Sequence, residues 1–113
     1  MKLSIVGKNL DLTPSFKTYI ESKLLPLSRF LGRFEEDGEA SLWLEVARIT
    51  GHHRRGDVFW AAADLKLPGK ILRAEKESGD ARAAVDGVKD ELRLEIEKYK
   101  AKFTKPRRPL KDR

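Results

Sequence analysis

The chain contains no cysteine, so disulfide bridges, thiolate zinc sites and cysteine nucleophiles are excluded, and a reducing cytosol is favoured. Its only two histidines, His52 and His53, are adjacent. Adjacent residues of a strand point to opposite faces, so these two histidines would not easily share a metal ion. A metal site also needs three or four ligands, and the chain has no third histidine. The sequence also has no obvious strained turn carrying a serine, which a catalytic triad would need. We therefore predict that the protein is not an enzyme and uses no metal, cofactor or small-molecule substrate.

Long apolar runs are also absent. No stretch approaches the roughly 20 apolar residues of a membrane helix, and the apolar run in "MKLSIVGKNLDL" is too short for a signal peptide. We expect a cytoplasmic protein without a membrane partner. With 113 residues, 40% hydrophobic and 37% charged, the chain fits one globular domain better than a disordered polymer.

Positive charge is abundant, but it is unevenly distributed. The net charge is +6, and residues 98–113 contain eight Lys or Arg against one Asp. The first 97 residues are close to neutral, with 16 basic and 17 acidic groups. The segment "TKPRRPLKDR" combines prolines with like charge, so we predict a domain at 1–103 and a mobile basic tail at 104–113. Such a charge distribution indicates a polyanionic partner.

Apolar spacing predicts the order strand, helix, three strands, helix. "KLSIV", "SLWLEVARI", "DVFWAAADLKL" and "ILRAEK" read as strands, and "LPGK" reads as a turn. Thr13 and Pro14 are typical of a helix start, and Pro26 should kink that helix or end its regular part. Ser78 or Asp80 should cap a last helix whose apolar seam extends from Val85 to Phe103.

These elements predict an α+β fold. We expect a two-layer βαβββα sandwich, with a four-stranded, mostly antiparallel sheet and two helices on one face. The other sheet face would be open to water. Trp43 and Trp60 are predicted to lie there, where they could stack bases, bury a partner or pack against each other across strands.

Two positions on the helices suggest anion binding. In the last helix a basic stripe flanks the apolar seam at about 40° to 80° from Val85, and its members are Arg82, Lys89, Arg93 and Lys100. The alternative is a solvated face with weak ion pairs. Lys23 falls inside the apolar stripe of the first helix. It is either a snorkelling lysine or a cation held in a fixed place.

The loop "TGHHRRGD" fits a metal site, a catalytic base with an anion clamp, or a polyanion-binding loop when taken alone. Arg54 and Arg55 offer fork-shaped donors and the histidines offer stackable rings, which suit phosphate and unpaired bases. We favour RNA contact over the metal and catalytic alternatives, and a plain solvated hairpin loop remains the other possibility.

The stretch "LSIVGKNLDLTPSFKTYIESKLLPL" resembles the opening of the ribosome hibernation promoting factor family, also called ribosome-associated translation inhibitors. The matching residues are Gly7, Thr13, Pro14, Tyr19, Lys23, Leu24 and Leu27. "ILRAE", Asp80, "AVD" and "KYK" match the second half in order and spacing, so the resemblance covers about residues 1 to 103.

The resemblance implies a βαβββα domain akin to double-stranded-RNA-binding folds. It implies binding to the rRNA of the small ribosomal subunit, in the channel used by messenger and transfer RNA. Translation would be blocked by occupancy, without chemistry, and idle ribosomes would be protected under stress. The resemblance further implies that this chain is a short form, without the second, dimerising domain of long members. We expect this short form to be a monomer off the ribosome.

The last helix departs from the family pattern. Where the family commonly reads close to "DKLERQLRKYK", this chain has "DELRLEIEKYK", with Glu91, Leu94 and Glu97 at usually basic positions. Arg82 stands where a tyrosine is common. The implied roles are therefore firmer for Lys23, Arg73, Lys98 and Lys100 than for the middle of this helix.

The predicted RNA-binding residues come from the charge patterns of the sequence and from the family resemblance. Their expected role is phosphate contact. They are Lys17, Lys23, Arg54, Arg55, Arg73, Arg82, Lys89, Arg93, Lys98 and Lys100. Two other functions stay open. One is an RNA-binding module acting off the ribosome, and the other is a protein-interaction module using the open face that carries Trp43 and Trp60.

Overall fold

A computed structural model describes residues 1–32, 40–49 and 58–104. Within them the elements are β1 (Lys2–Lys8), α1 (Pro14–Leu24), a 3₁₀ helix (Leu25–Phe30), β2 (Ser41–Ile49), β3 (Val58–Leu67), β4 (Lys70–Ser78) and α2 (Ala81–Thr104). The strands form one sheet in the order β1-β2-β3-β4. β1 pairs with β2 in parallel, and the other two pairs are antiparallel. The predicted α+β fold and βαβββα order are confirmed.

The helix boundaries follow from local chemistry. Thr13 Oγ1 accepts a hydrogen bond from the Phe16 N–H at 3.1 Å, and Pro14 occupies the first turn. Pro26 cannot donate to an α-helical ladder, and the chain continues as a 3₁₀ helix from Leu25. At the start of α2, Asp80 Oδ1 accepts from the Arg82 N–H at 3.2 Å. Both predicted caps are therefore confirmed.

The core lies between the helices and one face of the sheet. Leu42, Leu44 and Val46 of β2 are buried, and they belong to the same core cluster as the seam of α2. Its buried residues include Val85, Val88, Leu92, Ile96 and Tyr99. Truncating such a side chain to alanine typically costs about 2 to 5 kcal/mol. Phe103, predicted to extend the seam, lies outside the residues whose side chains are described.

α2 is pressed against the edge strand β4. A Cβ on Gly87 would lie 2.6 Å from Lys76 Cγ, so the helix approaches the strand too closely for a larger residue. Glu91 then reaches the strand backbone, where its Oε1 accepts from the Glu75 N–H at 3.3 Å. Farther along α2, the Tyr99 hydroxyl donates to the Pro68 carbonyl at 3.4 Å. These contacts fix the rotation of α2 about its axis.

Candidate nucleic-acid interface

The two helices are joined by a polar contact between Tyr19 of α1 and Asp86 of α2. The Tyr19 hydroxyl donates to Asp86 Oδ1 at 2.7 Å and lies 2.9 Å from Oδ2. This hydrogen bond, reinforced by burial and by the negative charge of Asp86, raises the pKa of Tyr19 above its ordinary value. The phenol therefore stays protonated and remains a donor at physiological pH.

Two cations flank the Tyr19 ring. Lys23 Nζ lies 5.4 Å from the ring centroid and 4.0 Å from Asp86 Oδ1. The Arg82 guanidinium lies 4.8 Å from the same centroid, and its Nη2 donates to Ser15 Oγ at 3.1 Å. The Lys23 ammonium therefore lies beside both the Tyr19 ring and the Asp86 carboxylate, and its role in anion binding stays a prediction.

A groove opens beside this junction, between the 3₁₀ helix and α2. We call it the helix groove; its volume is about 190 Å³, and its lining residues are Lys23, Pro26, Leu27, Arg29, Phe30, Lys89 and Arg93. The Arg93 guanidinium lies 4.9 Å from the Phe30 ring centroid. Four cations therefore surround a short apolar floor, on elements held by the core.

The acidic partners of these cations are exposed. Lys89 Nζ lies 3.3 Å from Asp90 Oδ1, and Arg93 Nε lies 3.5 Å from Glu97 Oε2. Exposed pairs of this kind contribute about 0 to 1 kcal/mol, so a phosphate can replace the carboxylate at little cost. Arg29 forms no ion pair with the part of the chain that the structure describes. The helix groove thus has the chemistry of a phosphate site.

The comparisons with known proteins agree with this fold. Residues 3–104 match the family model of the Sigma 54 modulation protein / S30EA ribosomal protein family. The chain belongs to this family. The resemblance noted in the sequence is confirmed, because relatives in several bacteria are named ribosome hibernation factors, and none of those names describes an enzyme.

Three S30EA relatives differ in how much of their own length this chain covers. The ribosome hibernation promotion factor of Deinococcus radiodurans is 32% identical over 101 residues, which are 89% of this chain and 50% of that protein. The ribosome hibernation promoting factor of Klebsiella oxytoca is 29% identical, over 91% of this chain and 97% of that protein. The crystal structure of the Thermus thermophilus Protein Y N-terminal domain matches with a TM-score of 0.66 and 26% identity, covering 88% of this chain and 99% of that one. This chain therefore spans about half of the first relative and nearly all of the second.

The structure brings together part of the predicted RNA-binding set of this S30EA protein. Lys23, Lys89 and Arg93 line the helix groove, and Arg82 flanks the neighbouring junction. Lys100 continues the same flank of α2 about 10 Å beyond Arg93. Lys17 is exposed on α1.

Other predicted residues lie elsewhere. Arg73 is on the open sheet face, where its Nη1 lies 2.8 Å from Asp64 Oδ1. Lys98 pairs with Glu95 at 3.6 Å, away from the buried seam of α2. Arg54 and Arg55, with the histidines of their loop, lie outside the described residues, as does the segment from residue 105.

Arg29 and the Tyr19–Asp86 contact were missed by the sequence reasoning. Arg29 follows Pro26 by three residues, and residues three apart share one face of a 3₁₀ helix. The proline was therefore a usable signal for Arg29. Tyr19 and Asp86 are 67 residues apart, and no local pattern pairs them. Within the described residues, no group of three metal-ligating side chains is placed to hold a metal, and no helix is both long and apolar enough to cross a bilayer.

Proposed function

We propose that this protein is a ribosome hibernation factor of the cytoplasm. It binds rRNA of the small ribosomal subunit in the channel used by messenger and transfer RNA, and it inhibits translation by occupying that channel. The helix groove is the observation that carries the proposal. The names of the S30EA relatives support the ribosomal partner, and we expect a monomer away from the ribosome.

The groove suits RNA because its cations stand on two rigid walls. Lys89 and Arg93 are one helical turn apart on α2, and Lys23 and Arg29 lie on the facing wall. A backbone that enters the groove can place phosphates against both walls. Arg93 is further oriented by the Phe30 ring, which reduces the side-chain entropy lost on binding. A fixed set of cations selects a matching phosphate arrangement better than a flexible basic segment does.

Co-sedimentation with purified small subunits tests the proposal. The variant Lys89→Ala/Arg93→Ala should bind about 10- to 100-fold more weakly at physiological salt, and the dependence of log affinity on log salt should fall by about two. The matched control is Lys70→Ala/Lys102→Ala, which removes the same charge from exposed positions outside the groove. The control should bind nearly as the wild type does.

Competition separates this function from its rivals. Excess transfer RNA should compete for the channel, whereas a module acting off the ribosome would bind free RNA as tightly as it binds subunits. A protein-interaction module would show little salt dependence. If the groove variant and the control bound subunits equally, the assignment of the groove would be wrong.

A further inference from the structure

The open face of the sheet is crossed by aligned rows of side chains. Leu3 and Ile5 pack against the core, so Lys2 and Ser4 face the other way. The strand register places Lys2, Ser41, Lys66 and Ile71 in one row. The next row is Ser4, Trp43, Asp64 and Arg73. Trp60 stands opposite Ala47, two rows farther on, so the two tryptophans are not the cross-strand neighbours that one prediction allowed.

A cleft lies between the first two rows. Its volume is about 260 Å³, and its lining residues are Ser41, Trp43, Asp64, Lys66 and Ile71. Trp43 is 42% exposed and Ile71 is 55% exposed, although both are large and apolar. The cleft is smaller than the pockets of roughly 300 Å³ or more that hold drug-sized ligands. It therefore suits a single flat group that packs against an indole.

The charge around the cleft favours an anion. Asp64 Oδ1 lies 2.8 Å from Arg73 Nη1, and the Nε of the same guanidinium lies 3.1 Å from Glu75 Oε2, so Arg73 offsets part of both negative charges. Lys2 and Lys66 form no ion pair with the described residues. The far rows of the same face carry three carboxylates, Glu45, Glu75 and Glu77, and one cation, Lys8, which lies 3.2 Å from Glu45. The face is thus basic at the Trp43 end and acidic at the Trp60 end.

We propose that this cleft binds one unpaired nucleotide of an RNA strand. The base stacks on the Trp43 indole and contacts Ile71, while a neighbouring phosphate contacts Lys66 and Lys2. Every base has a π-face, so this contact tolerates any sequence. The site is distinct from the helix groove, faces the opposite side of the molecule, and does not depend on the proposed ribosomal function.

A protein segment is the rival occupant, and the charges argue against it. An apolar side chain could enter the cleft, but nothing in the segment would then neutralise Lys2 and Lys66 unless it were acidic. A nucleotide supplies an apolar ring and an anion at once. The observations therefore favour RNA.

Tryptophan fluorescence tests the site directly. In Trp60→Phe the only tryptophan is Trp43, and titration with hexa-adenylate should quench its emission with saturation. Trp43→Phe, in which only Trp60 emits, is the matched control and should show little quenching. Adding Lys66→Gln to Trp60→Phe should weaken the quenching several-fold. Replacing Trp43 by alanine should weaken the binding of hexa-adenylate at this cleft about 10- to 100-fold, because the stacking contact is lost.

Inorganic polyphosphate of similar charge separates stacking from charge attraction. It should neither quench Trp43 nor compete effectively with hexa-adenylate in Trp60→Phe. Absent quenching in a folded Trp60→Phe protein would overturn the proposal and leave a protein side chain as the fitting occupant. Equal competition by polyphosphate would also overturn it. If Trp60→Phe does not fold, the difference between wild type and Trp43→Phe reports the same quenching. Because free hexa-adenylate replaces the ribosome, neither result bears on subunit binding through the helix groove.

Discussion

At the residue scale, Asp86 organises the junction beside the helix groove. It accepts from Tyr19 and lies 4.0 Å from Lys23, so one carboxylate orients a neutral donor and a cation. A carboxylate beside a candidate phosphate site would ordinarily repel phosphate. Here its charge is shared with Lys23 and shielded by Tyr19, and its main effect is to fix the position of the lysine.

Replacing Asp86 by alanine should lower the pKa of Tyr19 toward its ordinary value, because the hydrogen bond that favours the protonated phenol is lost. The folded pKa of Tyr19 is raised, so its contribution to stability is full below the unfolded pKa, near 10, and is lost as pH rises through the folded value. Ultraviolet titration of Asp86→Ala on a Tyr99→Phe background, where Tyr19 is the only tyrosine, measures the shift. An unchanged midpoint would contradict this account.

The contribution of Glu75 to stability should depend on pH in the opposite sense to that of Tyr19, because it should be lost in acid. The Trp60 indole N–H and then the Arg73 guanidinium hold the pKa of this carboxyl below its usual value. Its stabilising effect is therefore full above the unfolded pKa, near 4.3, and is lost as pH falls through the folded value. Glu75→Gln should flatten the acid limb of the stability curve, measured by urea unfolding across pH. The control is Glu21→Gln, which removes an exposed carboxylate of α1. The acid limb of this control should be steeper than that of Glu75→Gln.

At the element scale, much of the fold was predictable because it is local. The strand pattern placed Trp43 and Trp60 on the open face, and the caps at Thr13 and Asp80 identified the helix starts. The strand register was not predictable, because it depends on pairing between distant segments. The rows that place Trp43 beside Lys66 follow from that register alone.

The site was predictable only in part, for a related reason. Helical spacing placed Lys89 and Arg93 on one flank of α2, and that flank does line the groove. The facing wall includes Arg29, which lies in the 3₁₀ helix Leu25–Phe30 and not in a continued α-helix. A helical spacing of four residues does not predict where a 3₁₀ residue lies.

Gly87 sets how closely α2 approaches β4. Alanine there gains about 1 kcal/mol of helix propensity, but its Cβ would meet Lys76 Cγ at 2.6 Å. Overpacking typically costs about 1 to 3 kcal/mol, so Gly87→Ala should destabilise the protein by about 1 kcal/mol in urea unfolding. The loss should shrink in a Lys76→Ala background. A stabilised single variant would show that Lys76 yields freely.

At the scale of the whole molecule, two groups of basic residues can be compared: those that line the helix groove and those of residues 105–113. The helix groove presents cations at fixed positions, whereas residues 105–113 contain five Lys or Arg and one Asp. Fixed cations favour a matching phosphate arrangement, and terminal charge raises affinity for any polyanion.

Deleting residues 105–113 should therefore weaken binding to free RNA and reduce its salt dependence. Saturable binding to small subunits, near one per subunit, should persist at physiological salt. Filter binding with free RNA and co-sedimentation with subunits measure the two effects separately. Complete loss of subunit binding on deletion would place the main binding determinant in the terminal segment.

Glu91 has a consequence for storage of the protein. β4 is an edge strand, and edge strands present unpaired backbone donors on which other chains can add strands. The Glu91 carboxylate covers the Glu75 N–H from the outside of the sheet. An acidic residue at a position where the family commonly has a basic one thus closes part of the edge to strand addition. A concentrated solution of the protein should therefore resist polymerisation along this edge.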